Sequence, residues 1–190
     1  MYQSLFNHIE RYVPLDERER DLLSAGLEYS MLEKKAYLLK EGTICHANYF
    51  ILKGCLRLYF ISETGKEQTL QFGIENWWIS DLDSLSRQTP SPFFIQTIEP
   101  SEIAVLNQQT EQALLKAIPK LERYFRLVLQ RAYAASTMRL YYLSSLSGAK
   151  RYHHFNNLFP CFVQRIPQYM LASYLGFSPE FLSRIRAKKE

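Results

Sequence analysis

Between Ala36 and Leu106 the chain is cut into short apolar segments by turn residues. AYLLKEG closes at Gly42, NYFILKG at Gly54, CLRLYFISETG at Gly65 and KEQTLQFG at Gly73; FFIQTIEP and SEIAVLN follow. Segments this short, rich in Tyr, Phe, Ile and Leu, are read as strands. Closely spaced strands with Gly or Pro between them give a small antiparallel roll or sandwich. The Glu63-Thr64-Gly65-Lys66 stretch has the chemistry of a hairpin turn, because glycine supplies the positive φ such turns need.

The flanks are helical in character. Leu5, Ile9, Tyr12 and Val13 recur at helical spacing until Pro14. Leu22, Leu23 and Leu27 mark one face of a second helix, so residues 1–34 read as helical. After the strands, residues 109–117 form a short helix, and Pro119 stands at the first position of a long one reaching about Leu146. Along it Leu121, Val128, Ala135 and Tyr142 repeat in a heptad, with Tyr124 and Met138 at partner positions and Arg131 breaking that row. Phe125, Leu129 and Ala132 form a second apolar row. Two rows on one helix imply two packing partners: the chain's own β-domain and the same helix of a second subunit, or else two sides of a monomer. Ser147-Gly148 marks a hinge. Ala149–Leu158 is a further helix, ended by Phe159-Pro160.

Composition excludes several classes. Apolar residues are 47% and charged residues 22% of the 190, the balance of a folded globular chain. The charged N-terminus lacks the apolar core of a signal peptide, and no stretch approaches a membrane span, so a cytoplasmic protein is expected. Cys45, Cys55 and Cys161 are scattered, with no Cys-x-x-Cys pair, and read as reduced packing thiols. No metal and no cofactor is expected. The net charge of +4 says little by itself, but Arg184, Arg186, Lys188 and Lys189 crowd the last seven residues.

The segment from Arg165 to Arg186 carries the strongest signal. Leu171, Tyr174 and Leu175 form the inner stripe of one helix, and Ala172 is small where a second helix must cross. Gly176 suits the left-handed residue that ends a helix, and Phe177 plugs the corner. Ser178 is an N-cap, Pro179 fits the first helical position and Glu180 places a carboxylate in the first turn. Leu182 and Ile185 turn inward, leaving Glu180, Ser183, Arg184 and Lys188 outside. This is a helix-turn-helix whose second helix presents base-reading chemistry: Arg to the acceptors of guanine, Glu to the amino group of cytosine.

On these residues the chain resembles the cyclic-AMP receptor protein/fumarate-nitrate regulator (Crp/Fnr) superfamily, and most its short members from Bacteroidetes-type bacteria. Gly-Phe-Ser-Pro-Glu-Phe-Leu-Ser-Arg-Ile-Arg is similar to the family's recognition-helix motif. The resemblance implies base contacts by Glu180 and Arg184 and a phosphate contact by Ser178. Pro179 stands where relatives carry a polar residue. YFILKGCLRLYFISETGKEQTLQF is similar to the middle of the family's cyclic-nucleotide-binding β-roll. The implied fold is α+β: a β-roll sensor with flanking helices over 1–118, a dimerisation helix over 119–146 and an all-α helix-turn-helix domain over 147–190.

The family neutralises a cyclic phosphate with a Gly-Glu pair and, about ten residues on, Arg-Ser or Arg-Thr. Here those places align with Trp77-Trp78-Ile79-Ser80-Asp81-Leu82 and Pro90-Ser91-Pro92-Phe93. A buried phosphate without its Arg is costly, so cyclic-AMP binding is not expected. Trp78, Ser80, Asp81, Ser91 and Phe93 are the candidate lining of any ligand site that persists. The resemblance implies a homodimeric, double-stranded-DNA-binding transcription regulator, not an enzyme, with RNA polymerase a candidate further partner and no membrane partner. The alternatives are a sensor of an unidentified non-nucleotide small molecule and, more distantly, a cupin-like enzyme. The latter would need a cluster of His and carboxylate metal ligands, and His46 is the only histidine among the strands.

Overall fold

The computed structural model describes residues 1–187. Helices α1 (Gln3–Glu10) and α2 (Glu17–Gly26) open the chain, and strands β1 (Glu28–Leu32), β2 (Tyr37–Leu39), β3 (Ala47–Lys53), β4 (Leu56–Ile61), β5 (Glu67–Gly73) and β6 (Trp78–Ile79) follow. Helix α3 (Leu82–Arg87) precedes β7 (Phe94–Thr97) and β8 (Ser101–Asn107). The rest is helical: α4 (Gln108–Ala117), α5 (Lys120–Ser145), α6 (Gly148–Leu158), α7 (Pro160–Arg165), α8 (Gln168–Leu175) and α9 (Pro179–Ala187). The strands form two four-stranded sheets ordered β1-β8-β3-β6 and β2-β7-β4-β5. The expected α+β architecture is thus observed, including the antiparallel roll, the long helix and the C-terminal helix-turn-helix.

One local expectation is corrected, and two short helices, α3 and α7, are added to the reading. Residues 1–34 are not helical throughout: α2 stops at Gly26, Leu27 is extended, and 28–32 form β1, paired antiparallel with β8 from Glu28↔Val105 to Leu32↔Ser101. Leu27, Tyr29 and Met31 alternate, and that period of two fits an edge strand. Helix α3 was not anticipated; it is one short element whose start is fixed by the Asp81 side chain. Phe159-Pro160 does end α6, but Pro160 then opens α7 at its first turn, where its missing N–H costs nothing.

The chain divides into two compact units. The first comprises Met1–Phe60 and Gln71–Gln130. Its helical layer buries Leu5, Ile9, Leu23, Leu27, Leu114, Ile118 and Leu121 with Phe50, Ala104 and Leu106 of the roll. Each buried Leu, Ile or Phe among them contributes about 1.5–3 kcal/mol. The start of α2 is fixed by a capping box, with Asp16 accepting from the Glu19 N–H at 2.8 Å and Glu19 accepting from the Asp16 N–H at 2.8 Å. Lys120 at the start of α5 pairs with Glu19 at 2.7 Å.

Tyr124 is the polar centre of this layer. Trp78 Nε1–H donates to its hydroxyl at 2.7 Å, and the hydroxyl lies 2.8 Å from His8 Nδ1. Indole nitrogen only donates, so the Tyr124 oxygen accepts from Trp78 and shares a second hydrogen bond with His8. Burial pushes the Tyr124 phenol well above its ordinary value.

The second unit comprises Ile61–Leu70, the tip of the β4–β5 hairpin, and the chain from Arg131 onward. Gly65 has φ +75°, as the expected hairpin turn requires. The β5 edge is capped by a helix side chain: the Thr69 N–H donates to Ser173 Oγ at 2.9 Å, and that hydroxyl donates to the Glu67 carbonyl at 3.1 Å. One donor and one acceptor of this edge strand are thereby satisfied.

Candidate nucleic-acid interface

Helix α8 buries Met170, Leu171, Ala172 and Leu175. Ala172 is fully buried. Gly176 follows at φ +75°, ψ 39°, the left-handed cap expected from sequence, with its N–H directed to the Ala172 and Ser173 carbonyls. The Phe177 N–H also returns to Ala172 O, at 3.1 Å. The Phe177 and Phe181 rings meet edge to face at 5.3 Å and fill the corner. Phe181 in turn lies so close to Gly148, at the start of α6, that a Cβ there would collide with its ring.

Ser178 begins the second helix. Its Oγ accepts from the Phe181 N–H at 3.3 Å. Leu182 and Ile185 of α9 are buried, and Ser178, Glu180, Ser183 and Arg184 are exposed. The apolar and polar positions therefore divide as the sequence required. The Glu180 carboxyl is held below its ordinary value, first by a hydrogen bond from the Ser178 hydroxyl and next by its own backbone N–H; the charges of Lys66 and Arg184 add to this. Glu180 is thus a carboxylate at neutral pH, able only to accept. Lys188 lies outside the described residues.

Two arginines that the sequence did not single out hold this motif. Arg139 of α5 donates from Nη2 to the Tyr174 carbonyl at 2.9 Å, and its guanidinium lies 4.2 Å over the Tyr174 ring. Arg151 of α6 donates from Nη1 to the Leu143 carbonyl at 2.6 Å and stands 5.8 Å from the Phe177 ring. Burial pulls the Arg139 pKa down and pushes the Tyr174 phenol up. On the remainder of α5, Leu129, Tyr133, Leu140 and Tyr141 are exposed, Tyr133 at 77%. Of the expected heptad row, Leu121 is buried, Val128 and Tyr142 are half-buried and Ala135 is exposed.

The five candidate ligand-lining residues divide. Asp81 and Ser91 are buried together: Ser91 Oγ–H donates to Asp81 Oδ2 at 2.6 Å, while Asp81 Oδ1 accepts from the N–H groups of Asp83 at 3.1 Å and Ser84 at 3.3 Å. The Phe93 N–H donates to Ser91 Oγ at 3.0 Å, which brings Phe93 to the same cluster. Ser80 instead donates to the Ala47 carbonyl at 3.1 Å, and Trp78 turns to Tyr124 and packs on Phe50 and Phe125. Arg87 is exposed and paired with Asp83 at 2.9 Å. A buried cation does exist in the roll, on β4: Arg57 donates to Gln96 Oε1 at 2.8 Å and lies 3.9 Å over the Tyr59 ring. Among the described residues no group of three His, Cys, Asp or Glu is placed to hold a metal ion, and no helix is long and apolar enough to cross a membrane.

Residues 30–117 match the family model described as the cyclic nucleotide-binding domain. Over 183 residues the chain is 24% identical to an anaerobic regulatory protein of Haemophilus influenzae, covering 90% of this chain and 70% of that one. It is 26% identical over 138 residues to an anaerobic regulatory protein of Pasteurella multocida, covering 72% of this chain and half of that one. Among solved structures, the c-di-GMP-responsive global regulator of Xanthomonas campestris superposes with a TM-score of 0.74 at 14% identity, over 90% of each chain. The chain shares with that structure a cyclic-nucleotide-binding-type roll followed by a long helix and a helix-turn-helix. Residues 30–117 thus carry a cyclic nucleotide-binding domain, and the chain as a whole is similar to the two anaerobic regulatory proteins.

Proposed function

We propose that the protein is a homodimeric, sequence-specific regulator that reads duplex DNA with α9. Glu180 and Arg184 contact base edges, Ser178 contacts phosphate, Ser183 lies on the same face, and Lys188 adds phosphate affinity. The observation that carries this reading is the two-sided character of α9. Leu182 and Ile185 are buried, whereas Glu180, Ser183 and Arg184 stand in solvent one helical turn apart with no intramolecular core to serve. The exposed Leu129, Tyr133, Leu140 and Tyr141 on α5 support a second copy as the partner of that helix. The internal Ser91–Asp81 pair supports a roll that holds no cyclic phosphate: a carboxylate already uses the donors of that region, and a second anion there would be repelled. RNA polymerase is the protein partner through which a bound dimer would act.

The test is selection of bound duplexes from random DNA, paired with sedimentation of the protein alone and on the selected duplex. The expected outcome is a dimer in both states and a two-fold symmetric site with half-sites about 10 bp apart. A monomer at micromolar concentration that binds DNA as a monomer would refute the assignment.

A further inference from the structure

An α-helix leaves its last carbonyls without partners. In α8 the Ala172 and Ser173 carbonyls are taken by the Gly176 and Phe177 N–H groups of the turn. The Tyr174 carbonyl is taken by a different element, Nη2 of Arg139, one residue before the end of the helix. The Arg139 guanidinium also lies over the Tyr174 ring at 4.2 Å. A positive charge at a helix C-terminus, fixed both in plane and in direction, restrains angle as well as distance. One turn further along α5, Leu143 packs against Gly176: a Cβ there would stand 3.2 Å from Leu143 Cδ2. The Leu143 carbonyl receives Arg151, whose guanidinium faces Phe177.

The turn of the motif is therefore gripped by α5 directly and by α6 through α5. Stability alone does not account for this arrangement. Among the described residues, Nε of Arg139 and Nε of Arg151 are buried with no hydrogen-bond partner, which is unfavourable for a desolvated cation.

We propose that Arg139 is a positioning residue for DNA recognition: it sets the angle of the helix-turn-helix on α5 and so determines which half-site spacing the dimer accepts. The proposal rests on the dimeric, DNA-reading assignment above. If α5 lies along the dimer axis, a rotation of the reading head about its end displaces both recognition helices relative to each other. Two half-sites are engaged together only when their separation matches, and avidity vanishes when it does not. The base contacts made by Glu180 and Arg184 within one half-site are left untouched.

The experiment holds the half-site found by selection constant and varies the separation of two copies in single-base-pair steps. Wild type, Arg139→Gln, Arg139→Lys and Tyr174→Leu are compared by gel shift, with thermal melting to show that each is folded. Wild type is expected to prefer one spacing. In Arg139→Gln the ratio between that spacing and its neighbours should fall roughly fivefold or more, with the base preferences inside the half-site and the affinity for a single half-site unchanged. Tyr174→Leu, which removes the stacked ring and keeps the carbonyl, should broaden spacing in the same way. Arg139→Lys keeps the charge and a donor and should restore part of the preference, and it carries the test if the Gln variant does not fold. A spacing profile in folded Arg139→Gln or Arg139→Lys identical to wild type overturns the proposal. So does an equal loss of affinity at every spacing, which marks a merely structural role. A wild type that binds no paired half-sites overturns the parent reading and the spacing role with it.

Discussion

Ser91 and Asp81 form a closed pair inside the roll: the hydroxyl donates to Oδ2 at 2.6 Å while Oδ1 takes two backbone N–H groups at the start of α3. The family resemblance places a phosphate-binding Arg where Ser91 stands. Here that residue holds a carboxylate of the chain itself. Cyclic AMP and cyclic GMP should therefore give no binding heat tighter than about 50 μM in titration calorimetry. Tighter binding would show that the roll can open this pair for a nucleotide.

The same pair makes a stability prediction. Ser91→Ala removes the donor to a buried carboxylate oxygen and leaves it unsatisfied, at a cost of about 1–3 kcal/mol. Urea unfolding of the variant should show a lower midpoint with an unchanged slope. An unchanged midpoint would mean that Oδ2 is satisfied by water.

Arg184 and Lys188 should differ in kind. Arg184 is exposed on the face of α9 that carries Glu180 and Ser183. Arg184→Ala should lower affinity for the selected site by about 1–3 kcal/mol and relax preference at one base pair per half-site. Lys188→Ala should weaken binding to all sequences and reduce the salt slope by about one. Equal effects of both on specific and random duplexes would reverse these roles.

The helix-turn-helix was legible because its determinants are local. A left-handed glycine, a Ser cap with Pro after it, and apolar residues three and four apart are all contained within residues 171–185, and Gly176, Ser178, Leu182 and Ile185 stand where that logic put them. The roll was legible through its turn glycines. What escaped depends on partners far away in the chain. The alternation of Leu27, Tyr29 and Met31 is too short to set residues 28–32 apart from the helix before them, and pairing with β8 makes them a strand. Arg57, Arg139 and Arg151 look like surface cations in sequence, and their burial exists only once Tyr59, Tyr174 and Phe177 are folded beside them. Cap chemistry at Asp81 was present in the sequence, but α3 is too short to show a period.

Gly176→Ala tests the turn itself. A left-handed conformation costs a residue with a Cβ about 1–2 kcal/mol, and the added carbon would sit 3.2 Å from Leu143 Cδ2. Thermal melting should fall accordingly, and specific DNA affinity should fall further than that of Ser183→Ala. Loss of melting temperature without loss of DNA affinity would separate the turn from the reading geometry.

Glu111 supplies a prediction in pH. Its carboxyl is raised above the ordinary value of 4.5 by burial, opposed in part by the hydrogen bond that Asn48 Nδ2 donates at 2.8 Å. Burial disfavours the charged form, so the native state binds this proton more tightly than the unfolded chain does. Stability from this group is then fully present below the ordinary carboxylate value and is lost as pH rises through the raised native one. Glu111→Gln stays neutral and can still accept from Asn48 through Oε1. Relative to wild type it should gain melting temperature as pH climbs through that window, and match wild type at lower pH. The comparison isolates Glu111 because every other carboxylate is common to both proteins. A difference that does not change with pH would mean that the Glu111 carboxyl titrates alike in the folded and unfolded chain, with water reaching it among Leu23, Leu114 and Phe125 of the neighbouring cleft.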